Sequence, residues 1–445
     1  MSEFRTFFKY VIPSILSFAL SGVYAIVDGY FVGNSIGDIG LSTINVAYPI
    51  TAFLQAVGTG IGMGGAVYYS ISRAEQKEKR AMEFMASSLW ILIISSILFT
   101  FLTYIATTPL LRLLGAEGQL LALGEEYTKI IALGAGLQII GTGLVPFIRN
   151  HGGPFYAMVA MIAGFVANII LDYVFVWKLG QGIGGAALAT VIGQGITMLI
   201  ALVYLLRKKL FTLAVPIRKL ANYSKSIIKI GVAPFGLTMT PNISLIIINR
   251  FSIYYGGDQA VAVYACIAYI ICIVYLILQG VGDGSQPLIS KHYGAGDADG
   301  VRRFRNTNYL ITISLGALGL LAMYLLRNLV PLVFGSSAET AAIVAYALPI
   351  FSMAYVFYGF THASTSYFYA VDDARASNAI VYGEAVLVVL VVFGIARVAG
   401  VDGIWFSVTI VQMVLACAAG ALLRYRHRRR AAQAAPAAQP AGGGC

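Results

Sequence analysis

Long apolar runs separated by short polar connections dominate this chain. A membrane helix needs about 20 mostly apolar residues. Twelve stretches meet that length: 9–33, 43–71, 84–111, 127–148, 155–178, 184–207, 226–254, 259–289, 307–326, 339–368, 376–397 and 402–424. The pattern predicts an all-α polytopic membrane protein of twelve transmembrane helices. The longest inner connection, Lys208 to Ser224, divides it six and six.

The two halves echo each other at a spacing of about 220 residues. Ile12-Pro13 matches Ala233-Pro234, and Pro109-Leu110 matches Pro331-Leu332. GIGMGGAVYYSISR (60–73) aligns with LQGVGDGSQPLISK (278–291), pairing Gly62 with Gly280, Gly64 with Gly282, Ile71 with Ile289 and Ser72 with Ser290. An even number of spans per half makes the repeat parallel, about an axis along the membrane normal. The expected organisation is an N-lobe over 1–210 that holds an ion site, a cytoplasmic linker over 211–225, and a C-lobe over 226–425. A disordered cytoplasmic tail over 426–445 follows, its end rich in Ala, Pro and Gly. A cavity lies between two such pseudo-symmetric lobes, which can rock about it.

Composition closes off the soluble classes. Of 445 residues 59% are hydrophobic and 11% charged, against roughly 25% charged in a soluble domain. The net charge of +11 is a topology signal. With the N-terminus inside, 24 of the 30 Lys and Arg fall in inner segments; only Arg112, Lys129, Lys178, Arg250, Arg327 and Arg397 fall outside. That bias puts both termini in the cytoplasm and leaves no case for nucleic acid. Some inner basic residues can meet anionic lipid headgroups. No cleavable signal peptide precedes the first run, so the expected location is the inner (cytoplasmic) membrane.

Several chemistries lack their residues. Cys266, Cys272, Cys417 and Cys445 have neither a disulfide framework nor metal-ligand spacing. No GxxxxGK[ST] motif is present, so ATP is not the direct energy source. The glycines between Gly58 and Gly65 follow no strand and suit close helix packing. His151, His292 and His362 are scattered. An enzyme and an organic cofactor are therefore not expected.

Ionisable residues inside spans carry the candidate chemistry, because each is costly in lipid and faces a cavity or a partner. Asp28, Asp172 and Thr190 each fall roughly 9 Å below the outer surface at 1.5 Å per residue. Asn168 lies one turn from Asp172 on the same face. Such oxygens suit Na⁺, while two close carboxyls in a low dielectric can instead hold a proton. The residues leave that choice open. At an offset of 218 the C-lobe counterparts of Asn168, Asp172 and Thr190 are Val386, Leu390 and Val408, so the site belongs to one lobe. Glu384 is the main buried acid of the C-lobe, either a secondary charged site or near the cytoplasmic end with Arg375 or headgroups. Asp283 lines the inner mouth or pairs with Lys291. Arg250 faces the cavity or snorkels outward. Met63, Tyr269, Tyr275, Met353, Tyr355 and Tyr358 offer soft and aromatic surface for flat or cationic molecules.

NIILDYVFVWKLGQGIGGAALAT and VDGYFVGNSIGDIGLSTINVAYPI (27–50) resemble the signatures of bacterial multidrug and toxic compound extrusion (MATE) transporters. The resemblance spans roughly residues 7–424. It implies a secondary antiporter that exports organic cations or other amphipathic drugs in exchange for H⁺ or Na⁺, with alternating access of two lobes. It implies ion-site roles for Asp28, Asn168, Asp172 and Thr190, a small-molecule substrate and a monomer. Other branches use acids in helices 7 and 10, where this chain has Asn249 and Arg250, and no acid before Asp372. One alternative is a lipid or lipid-linked oligosaccharide flippase of the same wider superfamily, which needs a basic cavity. A passive channel and an intramembrane enzyme are further alternatives.

Overall fold

The computed structural model describes residues 3–333 and 337–434, and these form helices without a strand among the described residues. The first half contains α1 (Glu3–Ile36), α2 (Asp38–Ala74), α3 (Glu78–Leu113), α4 (Gly118–Leu133, bent by 54° into Ala135–Asn150), α5 (Pro154–Lys178) and α6 (Gly182–Arg207). The second contains α7 (Ile217–Gly257), α8 (Gln259–Gly294), α9 (Ala298–Leu326), α10 (Ala338–Ala370), α11 (374–399) and α12 (401–434). Twelve spans were expected, and twelve are found among the described residues.

The reversal between α11 and α12 occupies one residue, Gly400, at φ 57°. Without it, 374–426 would make a helix of roughly 80 Å, far longer than a hydrocarbon core of about 30 Å. A side chain at that φ is costly, so glycine stands there.

Left-handed backbone at turns fixes the register of the repeat. Gly37, Gln76, Gly152 and Gly180 recur as Gly257, Gly296, Asp372 and Gly400, each 220 residues on. The offset of 218 between α2 and α8 is therefore corrected by two residues. Gly60, Gly62 and Gly64 correspond to Gly280, Gly282 and Gly284. Packing repeats in the same register. A side chain at Gly60 would meet Gly231 O at 2.8 Å, and one at Gly280 would meet Ile15 Cα at 2.7 Å. Gly64 abuts Ile227, and Gly284 approaches Val11 Cα at 2.8 Å. These small residues let α2 pack backbone-close on α7, and α8 on α1.

Two apolar cores result, one per lobe. Each lobe also lends its first helix to the other. Phe7 and Val11 of α1 sit in the C-lobe core, and Ile227, Ile230 and Ala233 of α7 sit in the N-lobe core. The lobes thus interlock in the half of the bundle that carries the termini.

Two expected boundaries move. The linker is irregular only to Pro216, which caps α7, so 217–225 is helical. The tail expected from 426 is helical to Ala434; residues 435–445, with Cys445, lie outside the described residues.

Candidate functional site: a carboxyl pair between α1, α5 and α6

The α5–α6 crossing is set by glycine. A side chain at Gly193 would come within 2.8 Å of Gly164 O, and one at Gly164 would overlap Thr197. This close approach brings Asn168 of α5 opposite Thr190 of α6. The Asn168 amide, oriented by its network, donates to Asp172 Oδ2 at 3.1 Å and accepts from the Thr190 N–H at 3.0 Å. Asp172 is 0% and Asp28 is 8% exposed, and the two carboxyls lie within hydrogen-bond reach of each other. The four residues expected at one depth thus meet.

The surroundings are buried and almost uncharged. Tyr24 and Tyr127 both reach the Thr190 hydroxyl, and Tyr24 stacks on Phe165 at 5.3 Å. The Oδ1 atoms of Asp28 and Asp172 are buried without a partner. Two unpartnered carboxyl oxygens beside an amide and a hydroxyl form a set that can hold a proton between the acids or a small hard cation. Directly after Asp172 the helix widens into a π-helical turn, Tyr173–Lys178, a distortion frequent at functional sites. Tyr24 was detectable in the sequence, one turn before Asp28 on the same face. Tyr127 and the π-turn carried no comparable signal.

In the corrected register the C-lobe counterparts of Asp28, Asn168, Asp172 and Thr190 are Ile248, Val388, Val392 and Ile410. Ile248, Val388 and Val392 are buried in the C-lobe core. The asymmetry between the lobes therefore holds.

The other expected residues disperse. Met63 and Tyr355 are buried in the N- and C-lobe cores respectively. Tyr275 and Tyr358 stack on each other, 3.6 Å apart. Tyr269, Met353 and Arg250 are exposed. Asp283 does not pair with Lys291; it accepts from the Tyr369 hydroxyl at 2.9 Å and faces Arg149 at 4.0 Å. Glu384 does not pair with Arg375 or reach a helix end; it accepts from Gln412 Nε2 at 2.8 Å.

Polar bridges cross the lobe seam beside the glycine contacts. Asn150 and Gln286 exchange two amide bonds, at 2.9 and 3.2 Å. The Tyr68 hydroxyl donates to Asp372 at 2.6 Å. Glu83 receives Lys219 at 3.1 Å and the Tyr223 hydroxyl at 2.6 Å. With Arg149–Asp283 they close the face that carries the termini.

Twelve spans in two lobes, with a pair of buried carboxyls between three N-lobe helices, define a multi-pass membrane protein of the transporter class. The MatE family model matches twice, over residues 13–174 and 234–395, and the chain belongs to that family, whose proteins are transporters. The paired match restates the internal repeat. The chain is 26% identical over 424 residues to the multidrug export protein MepA of Staphylococcus saprophyticus, covering 94% of this chain and 93% of that protein. It is 24% identical to MepA of Staphylococcus aureus strain MSSA476, covering 94% and 92%. Among solved structures, an outward-facing multidrug resistance MATE transporter of the MOP superfamily superposes with a TM-score of 0.87 at 22% identity, over 94% of this chain and 95% of that one. A MATE protein in complex with MaL6 gives 0.88 at 21%, with the same coverage.

Proposed function

We propose that this protein is an antiporter of the cytoplasmic membrane that exports organic cations or other amphipathic toxic molecules in exchange for H⁺ or Na⁺. The observation that carries the reading is the Asp28–Asp172 pair, buried in lipid-spanning helices and framed, among the described residues, by Asn168, Thr190 and two tyrosines. Ionised acids are costly in that setting, so an incoming ion has a strong effect on which arrangement of α1, α5 and α6 is favoured. The MepA relatives are named as multidrug export proteins, which supports the substrate class. The basic bias supports a cytoplasmic position for the seam of bridges. A shut inner face gives an outward-facing state.

In the cycle, the ion enters from outside and neutralises the acids. Helix α1 then repacks against α5 and α6, and the bound molecule is released outward. The lobes next rock about the site, the inner bridges part, and the ion leaves to the cytoplasm as the next molecule enters. Binding of ion and substrate are linked through one two-state element, as coupling requires.

The test is ethidium export from vesicles given a pH gradient or a Na⁺ gradient separately. Wild type should respond to at least one. Asp172→Asn should fall to the level of vesicles without the protein. Full gradient-driven export by Asp172→Asn would sink the proposal.

A further inference from the structure

Helix α12 is pinned to the rest of the C-lobe at two levels. Far from the termini, the Thr409 hydroxyl donates to the Ile350 carbonyl of α10 at 2.8 Å. Near the termini, Arg426 reaches Asp373, in the turn before α11, at 2.8 Å. Between these pins the helices part. A groove of about 550 Å³ opens there, with Ile313 of α9, Phe357 and Phe360 of α10, and Cys417 and Gly420 of α12 on its walls. That volume is within the range of small-molecule pockets, about 300–1,000 Å³. Glycine explains the shape. A side chain at Gly316 of α9 would meet Tyr355 O at 2.7 Å, and one at Gly359 of α10 would meet Thr312 O at 2.9 Å, so α9 and α10 touch backbone to backbone. A side chain at Gly420 of α12 would meet nothing within 4 Å.

The groove is apolar except at one end. From Ala416 to Arg424 it follows α12 for about 12 Å at 1.5 Å per residue, close to one leaflet of a hydrocarbon core of about 30 Å. Arg424 lines the end nearest the termini and is exposed. Arg426, two residues on, is committed to Asp373; among the described residues no carboxylate pairs with Arg424. Arg305 stands two turns before Ile313 on the same face of α9 and lies over the Tyr367 ring of α10, 5.4 Å from its centre. The α9–α10 wall thus also ends in a guanidinium. This pattern selects its occupant. A cationic drug is repelled by Arg424, and a water-soluble anion gains nothing from the walls. An anionic phospholipid uses both. Its phosphate oxygens accept from a guanidinium fork, and an acyl chain lies along the aromatic and aliphatic walls. Basic pockets between membrane helices on the cytoplasmic side suit such headgroups, and the basic bias supports a cytoplasmic position for this end.

We propose that the groove between α9, α10 and α12 binds one anionic phospholipid of the inner leaflet, with its phosphate on Arg424 and an acyl chain over Gly420. The lipid fills the gap between the two pins and braces α12 against α9 and α10. The site uses none of Asp28, Asn168, Asp172 or Thr190, so it stands whether or not the N-lobe pair drives transport.

Native mass spectrometry of the full-length protein, delipidated in detergent and titrated with phosphatidylglycerol or phosphatidylcholine, tests this. Wild type should take up one phosphatidylglycerol at a concentration about tenfold or more below that needed for phosphatidylcholine, as a hydrogen bond to a charged group implies. Arg424→Gln should lose that preference, and Arg424→Lys should keep most of it. Lys225→Gln, an exposed cation of α7, should leave it unchanged. Gly420→Leu fills the groove without touching Arg424, so it should weaken the uptake of both lipids. The proposal is overturned if wild type takes up the two lipids alike, or if Arg424→Gln keeps the preference. A protein dimer that Gly420→Leu abolishes, with no tight lipid adduct, would assign the groove to a second copy of the chain and overturn it as well.

Discussion

Asp28 and Asp172 share a space that neither can occupy comfortably as a lone anion. Asn168 holds Asp172 by one oxygen and leaves the other without a partner. Asp172→Asn keeps the size and an acceptor for Asn168, so the protein should stay monodisperse while losing ion-driven export. Tyr127→Phe removes only one bond to Thr190. A neutral hydrogen bond contributes about 0.5–1.5 kcal/mol, so the apparent ion affinity should weaken about two- to tenfold, read from the ion dependence of transport. The four polar members were legible because each interrupts an apolar run. Tyr127 was not: the chain has 27 tyrosines, and nothing local marks the one on α4 that reaches Thr190.

At the scale of elements, glycine decides which helices touch. Gly64→Val places a side chain against the Ile227 carbonyl, and the α2–α7 seam must part. Spin labels at the exposed positions Lys79 and Arg302, with native cysteines replaced, should report a longer distance in this variant than in wild type. The α4–α5 turn adds a pH response. His151 Nδ1 receives Arg73 at 3.0 Å and the Tyr69 hydroxyl at 2.8 Å; arginine can only donate, so this nitrogen accepts. Burial, and then the Arg73 guanidinium, hold the His151 imidazole below its ordinary value. Its contribution is complete above the unfolded value of about 6.5 and is lost as pH falls through the lower folded value. Thermal midpoints should therefore drop on acidification across that range in wild type, and drop less in His151→Ala, which starts lower. Helix number and the repeat were readable from apolar run lengths. The register slipped by two because the glycine-rich stretch matches itself at more than one offset. Only the left-handed turns settle it.

Across the whole molecule, each lobe is anchored in the other by its first helix, and polar bridges shut the same face. Asn150 and Gln286 bond only each other across the seam, so their substitutions should be non-additive. In a double-mutant cycle of Asn150→Ala and Gln286→Ala, the second change should cost far less than the first in the fraction closed at this face, measured with the same label pair. Additive effects would show that the amides do not act as a latch. No sequence pattern announces this pairing, since the partners are 136 residues apart and lie in different lobes. The asymmetry between the lobes was legible, because the second copy of the ion-site positions is apolar.

In the proposed mechanism the Asp28–Asp172 pair exchanges an ion for the exported molecule. Ethidium binding to the purified protein, followed by fluorescence polarisation across pH and Na⁺ concentration, tests it most directly. The wild-type affinity should fall as H⁺ or Na⁺ rises, and that dependence should vanish in Asp172→Asn with binding itself retained. An unchanged ion dependence in Asp172→Asn would contradict the account.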